Sequence, residues 1–153
     1  EYIFGSAESV GLMCLRVFTD NNDELYRELK PFAQRLGSAF QKVNFLRDLQ
    51  ADFEILGRTY FPNATLTDFS ADNKMEIERD SQADFEIAKS GIGKLPREAR
   101  FGVYVAYKYY LRLFERIKST SAKEIAETRI RVPNGKKYSL FLTSYIQHRL
   151  NRI

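Results

Sequence analysis

Residues 41–62 read QKVNFLRDLQADFEILGRTYFP, and the spacing inside this stretch decides how the chain folds. Asn44, Asp48 and Asp52 stand four residues apart. At about 3.6 residues per turn they fall within roughly 80° of one helix face, with Gln41 inside the same arc. Phe45, Leu46, Leu49, Phe53 and Leu56 occupy an adjacent and partly opposite arc, so the same helix has an apolar side to bury. Two carboxylates and an amide one turn apart suit a hard cation that keeps part of its water, typically Mg²⁺ with a substrate phosphate completing the shell. The same pattern also describes a solvated acidic face, and spacing alone does not separate the two.

Helical periodicity extends in both directions from this stripe, and the fold class it predicts is all-α. Residues 6–18 are apolar enough to be a core helix, and Asp20 or Asn22 offers a cap for the next one. Leu25, Leu29, Phe32, Leu36, Phe40 and Val43 then recur at three- and four-residue steps up to the stripe. Pro31 is expected to bend or divide this helix, and Gly57 to end it. Pro62 begins a loop that runs to Ser70. Further helices are expected over residues 73–90, 96–119 and 136–149, with a connection over 91–96 and a break over 129–135.

Composition narrows the class. Hydrophobic residues make up 44% of the 153 and charged residues 29%, which is ordinary for a globular protein. No apolar run reaches the roughly 18 residues of a membrane span, and no signal peptide is visible. The single cysteine, Cys14, rules out an internal disulfide, so a reducing cytoplasm is the expected compartment. Cys14 lies in an apolar stretch and is expected to be buried. His148 has no ligand partner at metal spacing and reads as a surface residue.

Charge is unevenly placed. Arg129, Arg131, Lys136, Lys137, Arg149 and Arg152 are the charged residues after position 128, so the net +4 of the chain leaves −2 for residues 1–128. Three readings of this basic tail stay open: a patch for anionic lipid, a contact for diphosphate, or a solvated end. Nucleic acid is not expected, because no recognition motif accompanies the charge. The chain also carries 12 Phe and 9 Tyr but no Trp, with Tyr104, Tyr107, Tyr109 and Tyr110 on one expected helix. These are either ordinary core or the wall of a cavity whose ring faces can stabilise a cation.

The string NFLRDLQAD, followed by GRTYFP, resembles the second aspartate-rich motif of the squalene/phytoene synthase family of head-to-head prenyl transferases. Residues 2–11, YIFGSAESVG, are similar to that family's Y-x-x-x-x-A-G-x-V-G segment, and GLMCL continues as in bacterial members. A weaker similarity runs through LPREARFGVYVAYKYYLRLFERI and RIRVPNGKK, so the resemblance covers most of the chain. It implies an isoprenoid synthase-type helical bundle in which residues 1–153 form the C-terminal portion of a single domain. The family's first aspartate-rich motif has no counterpart here, since Asp20, Asp23 and Glu24 read as a helix-start turn. The N-terminal half of the domain is expected to supply the opposing carboxylates, and the chain alone is expected to be inactive.

The activity implied by the resemblance is Mg²⁺-dependent condensation of two prenyl diphosphates in isoprenoid biosynthesis. The wording N-F-L-R-D, R-x-Y-x-P and GLMCL favours two geranylgeranyl diphosphates going to phytoene, through a cyclopropyl diphosphate, as in carotenoid biosynthesis. A squalene-type synthase using farnesyl diphosphate is the alternative, and a non-catalytic helical lipid-surface protein is the alternative of another class. The resemblance assigns Asn44, Asp48 and Asp52 to Mg²⁺, with Gln41 beside them, and makes Asp48, Asp52 and Tyr110 catalytic. Arg47, Arg58 and Arg129 become phosphate contacts, although Arg47 and Arg58 serve equally as structural ion pairs. Tyr60 matches the Y of R-x-Y-x-P. Tyr2, Ala7, Val10 and Gly11 match the cavity-lining helix, and Glu8 departs from the family's Gly there. The expected localisation is cytoplasmic, with the basic tail offering peripheral contact to the inner face of the membrane.

Overall fold

The structure, a computed structural model, describes residues 7–56 and 69–150, without the side chains of 51–56. These residues form six helices and no strand: α1 (Ser9–Phe18), α2 (Asp23–Leu56), α3 (Ala71–Ile92), α4 (Arg97–Lys118), α5 (Ala122–Glu127) and α6 (Asn134–Arg149). The 34-residue α2, about 51 Å long at 1.5 Å per residue, is the spine. It packs against α1, α3, α4 and α5, while α4 also meets α3 and carries α6 on its outer side.

Local chemistry explains the helix starts. Asp20 and Asn21 adopt positive φ, which these short polar residues tolerate, and turn the chain between α1 and α2. Asn22 caps α2, its Oδ1 accepting from Leu25 N at 3.0 Å. Ser70 and Asn73 form a reciprocal capping box at α3. Ser121 caps α5, a short helix that periodicity did not predict, by accepting from Glu124 N. Of the bend or division expected at Pro31, no division occurs, and α2 runs through the proline. Pro31 and Arg27 are both exposed, so the Arg27 carbonyl that a proline ring leaves unbonded faces solvent.

The main core joins α2, α3, α4 and α5 through Val43, Leu46, Phe85, Leu113, Phe114, Ile117 and Ile125. A smaller one joins α1, α2 and the α3–α4 turn through Leu15, Leu29 and Leu95. Contrary to expectation, α1 is not a core helix. Leu15 is buried, but Val10, Met13 and Val17 are exposed.

A charged network is buried where α2 meets α3. Asp84, 1% exposed, accepts from Lys42 Nζ at 2.7 Å, Ser38 Oγ at 2.7 Å and Arg35 Nη1 at 3.0 Å. Lys42 also binds the more exposed Asp80. Because Arg35, Ser38 and Lys42 share one arc of α2, pairing them with α3 fixes the rotation of α2 and sets Gln41 and Asn44, about 100° and 160° round the helix from Lys42, on its cavity side. Breaking such a pair strands a buried charge, so the network resists rotation of α2.

Candidate active site

The site begins where α1 crosses α2. A Cβ on Gly11 would lie 3.1 Å from the Ala33 carbonyl oxygen, and one on Gly37 would lie 2.7 Å from that of Ala7. The two backbones therefore approach as only small residues permit. Glu8, the departure from the family pattern, accepts from Gln34 Nε2 at 3.3 Å and so ties α1 to α2.

Beside this crossing lies a cavity of about 390 Å³, within the range of small-molecule sites. Leu15, Phe18, Leu29 and Leu95 line it, as do Phe32, Ala33 and Phe40. Helix α3 adds Ala88, Gly91 and Ile92, and α4 adds Val103, Ala106 and Tyr110. Polar side chains enter the lining at Gln41, Asn44 and Tyr110. From Leu29 to Asn44 the cavity follows α2 for about 22 Å, so it is long, apolar and polar at one end.

That polar end is ordered by Tyr110. Its hydroxyl donates to Asn44 Oδ1 at 3.3 Å, and its ring stacks on Phe40 with centroids 3.9 Å apart. One turn along α2 from Asn44, Asp48 is mostly buried at 19% exposure. Arg47 Nε donates to its two oxygens at 3.0 and 3.1 Å, and Arg129 Nε, from the α5–α6 connection, lies 2.8 Å from Oδ1. The hydrogen bond to Asp48 raises the Arg47 pKa further above its usual value, outweighing the opposing effect of burial. Two guanidinium groups meeting one carboxylate leave excess positive charge and unused N–H donors, a combination suited to phosphate oxygens.

The donor set fits one side of a Mg²⁺ site. Asn44 and Asp48 supply hard oxygen atoms on successive turns, and Asp52 follows on the next turn of α2, its side chain outside the described residues. No group of three or more His, Cys, Asp or Glu side chains converges among the described residues. Asp48 meets two arginines, so a cation there shares its carboxylate with them.

Of the residues singled out from sequence, Ala7, Val10, Gly11, Gln41, Asn44 and Tyr110 all line the cavity. Arg47 and Arg129 converge on Asp48 instead. Tyr2, Arg58 and Tyr60 lie outside the described residues. Cys14, expected to be buried, is exposed and edges the cavity. Tyr107 is core, Tyr104 donates to Gln147 on α6, and Tyr109 stands edge-on to Tyr110, so Tyr110 is the one of the four tyrosines in the lining. Burial raises the pKa of Tyr104 and Tyr107. The α2 wall was within reach of the sequence, since stepping back by four from Gln41 meets Gly37 and then Ala33. The α3 wall carried no comparable signal.

The squalene/phytoene synthase family model matches residues 1–136. The chain belongs to this family. Its helices form the all-α, isoprenoid synthase-type fold. A 4,4'-diapophytoene synthase of Staphylococcus haemolyticus is 36% identical over 79 residues, covering 51% of this chain and 26% of the relative. A bifunctional lycopene cyclase/phytoene synthase of Neurospora crassa is 35% identical over 82 residues, covering 50% of this chain and 14% of the relative. The aligned part thus spans about a quarter or less of these curated relatives. No solved structure matches the chain.

Proposed function

We propose that this chain supplies one side of the active site of a head-to-head prenyl transferase that joins two prenyl diphosphates. The carrying observation is the junction of a long apolar cavity, polar at Gln41, Asn44 and Tyr110, with the Asp48, Arg47 and Arg129 cluster one helical turn away. A prenyl diphosphate has the same division, an isoprenoid tail ending in a multiply charged anionic head. The phytoene-type reaction on two geranylgeranyl diphosphates is the preferred form, in keeping with the wording of the motifs and the printed names of the relatives.

In this reading the apolar lining binds the tail and excludes water, which protects an allylic cation from hydrolysis. Arg47 and Arg129 bind and orient diphosphate oxygens, and Asn44, held by Tyr110, fixes the polar end of the cavity. Asn44, Asp48 and Asp52 would hold Mg²⁺, which when bound neutralises the leaving diphosphate as a Lewis acid. The faces of Phe40 and Tyr110 offer π density to the cation left behind. Attack by the second substrate's double bond on the cation, with loss of a proton, gives a cyclopropyl diphosphate and frees the first diphosphate; departure of the second diphosphate with rearrangement, and loss of a further proton, gives the linked product.

The test is Asp48→Asn and Asp52→Asn in the full-length protein, assayed with geranylgeranyl and farnesyl diphosphates and with product analysis. Product formation is expected to fall at least about a hundredfold in each variant, as for loss of a principal electrostatic group. Turnover equal to the parent's rejects the metal role. A preference for farnesyl diphosphate rejects the chain length but not the reaction.

A further inference from the structure

The far end of the cavity is closed by this chain's own residues. Leu15 of α1, Leu29 of α2 and Leu95 of the α3–α4 turn are at most 6% exposed, and Phe18, Phe32 and Val103 pack against them. Further polypeptide can only lower these exposures, so the closure does not depend on it. Side-chain size is graded along the wall. Behind the Phe40–Tyr110 stack, Gly37, Ala33, Ala88 and Ala106 leave the middle of the cavity wide, whereas Phe18, Leu29, Phe32 and Leu95 crowd its far end.

Phe32 is held in place there from two sides. Its root rests on the bare backbone of Gly91, where a Cβ would lie 2.5 Å from Phe32 Cγ, so the side chain sits as near α3 as only a glycine permits. Lys94 stands over the ring with Nζ 5.4 Å from the centroid, and Glu28 holds that ammonium at 2.7 Å. A ring fixed at its root and covered on its face resists swinging aside for a chain that presses on it.

The position of the ring sets a length. Twelve residues of α2 separate Phe32 from Asn44, a rise of about 18 Å. One helical turn, about 5.4 Å, is close to what one isoprene unit adds to an extended tail. Roughly three to four units therefore fit between the polar end and the ring. Resting on the prenyl transferase reading above, we propose that Phe32 is the stop that limits the tail held in this cavity and rejects tails longer than geranylgeranyl.

The experiment is product analysis of the full-length protein given geranylgeranyl and geranylfarnesyl diphosphates together. This cavity holds one of the two tails, so relaxing its end should yield a mixed product with one tail of each length. Phe32→Ala should raise the ratio of mixed product to the symmetric geranylgeranyl product at least about tenfold, since a single methylene in an apolar pocket already discriminates by that much. Phe32→Leu should raise it by less. Ala106→Leu, which fills the middle of the cavity, should act in the opposite sense: with geranylgeranyl and farnesyl diphosphates together, the mixed product should rise at least about tenfold. Met75→Ala, outside the lining, should leave both ratios unchanged. A product ratio does not depend on how much of a variant is folded, and Phe32→Leu and Ala106→Leu open no large cavity. Unchanged ratios in the Phe32 variants overturn the stop, and an unchanged ratio in Ala106→Leu overturns the path of the tail along α4. A parent protein that converts none of the three diphosphates overturns this inference together with the reading it rests on.

Discussion

Arg129 Nε lies 2.8 Å from Asp48 Oδ1, joining the α5–α6 connection to the middle of α2 across 81 positions of sequence. Arg129 is half exposed, and exposed ion pairs contribute about 0–1 kcal/mol to stability, so its value to the fold is small. Arg129→Met should therefore shift the melting temperature little while raising the KM for a prenyl diphosphate about tenfold or more, as loss of a charge-assisted phosphate contact predicts. Steady-state kinetics alongside thermal melts check this, and an unchanged KM would remove Arg129 from the substrate site.

Tyr110 separates two contributions to one residue. Tyr110→Phe keeps the ring stacked on Phe40 but removes the hydrogen bond to Asn44, a loss of about 0.5–1.5 kcal/mol. Tyr110→Ala also removes the ring from the cavity wall and should cost about 3–5 kcal/mol where the ring is packed. Denaturant unfolding of both variants tests the ordering, and product analysis shows whether the ring face matters beyond stability.

The Asp84 network should respond asymmetrically. Asp84→Ala leaves Lys42 and Arg35 without their buried partner and should destabilise by about 3–5 kcal/mol. Lys42→Met combined with Asp84→Leu should recover most of that loss, because neither charge of the pair is then stranded. A double variant no more stable than Asp84→Ala would show that Arg35, Ser38 and Asp80 dominate the network.

Glycine substitutions should divide by location. Gly37→Ala places a methyl 2.7 Å from the Ala7 carbonyl oxygen, so α1 must move, at a cost of about 1–3 kcal/mol and with a reshaped cavity. Gly102, inside α4, has nothing within 4 Å of an added Cβ, and Gly102→Ala should stabilise by about 0.5–1 kcal/mol through helix propensity. Thermal melts of the two variants should move in opposite directions.

Ser144 is buried on α6 with no hydrogen-bond partner among the described residues. Ser144→Ala removes an unsatisfied hydroxyl and adds helix propensity, so it should stabilise by about 1 kcal/mol or more. Denaturant unfolding checks this, and a destabilised variant would mean that the hydroxyl has a partner, such as a buried water.

The helices and the polar stripe were legible because both rest on periodicity. Three- and four-residue steps place Gln41, Asn44 and Asp48 on one face of α2 wherever that helix sits, Asn22 marks a helix start by capping it, and Pro96 marks another through its fixed φ. Motif wording added Ala7, Val10, Gly11, Arg129 and Tyr110, residues that spacing alone would have left as core or solvated surface. Cys14 was misread because exposure is a property of the neighbours rather than of the residue.

The sequence by itself determined where the longer helices run and which of their side chains share a face, because the helix repeat is set by backbone geometry. Only the tertiary structure decided what each face meets. It paired Lys42 with Asp84 across 42 residues, brought Arg129 to Asp48, placed Tyr110 against Asn44, and left the apolar side of α6 outward. Such contacts depend on which helices lie side by side and on their rotation, set by the summed burial and charge pairing of the whole bundle, and no local repeat in the chain encodes them.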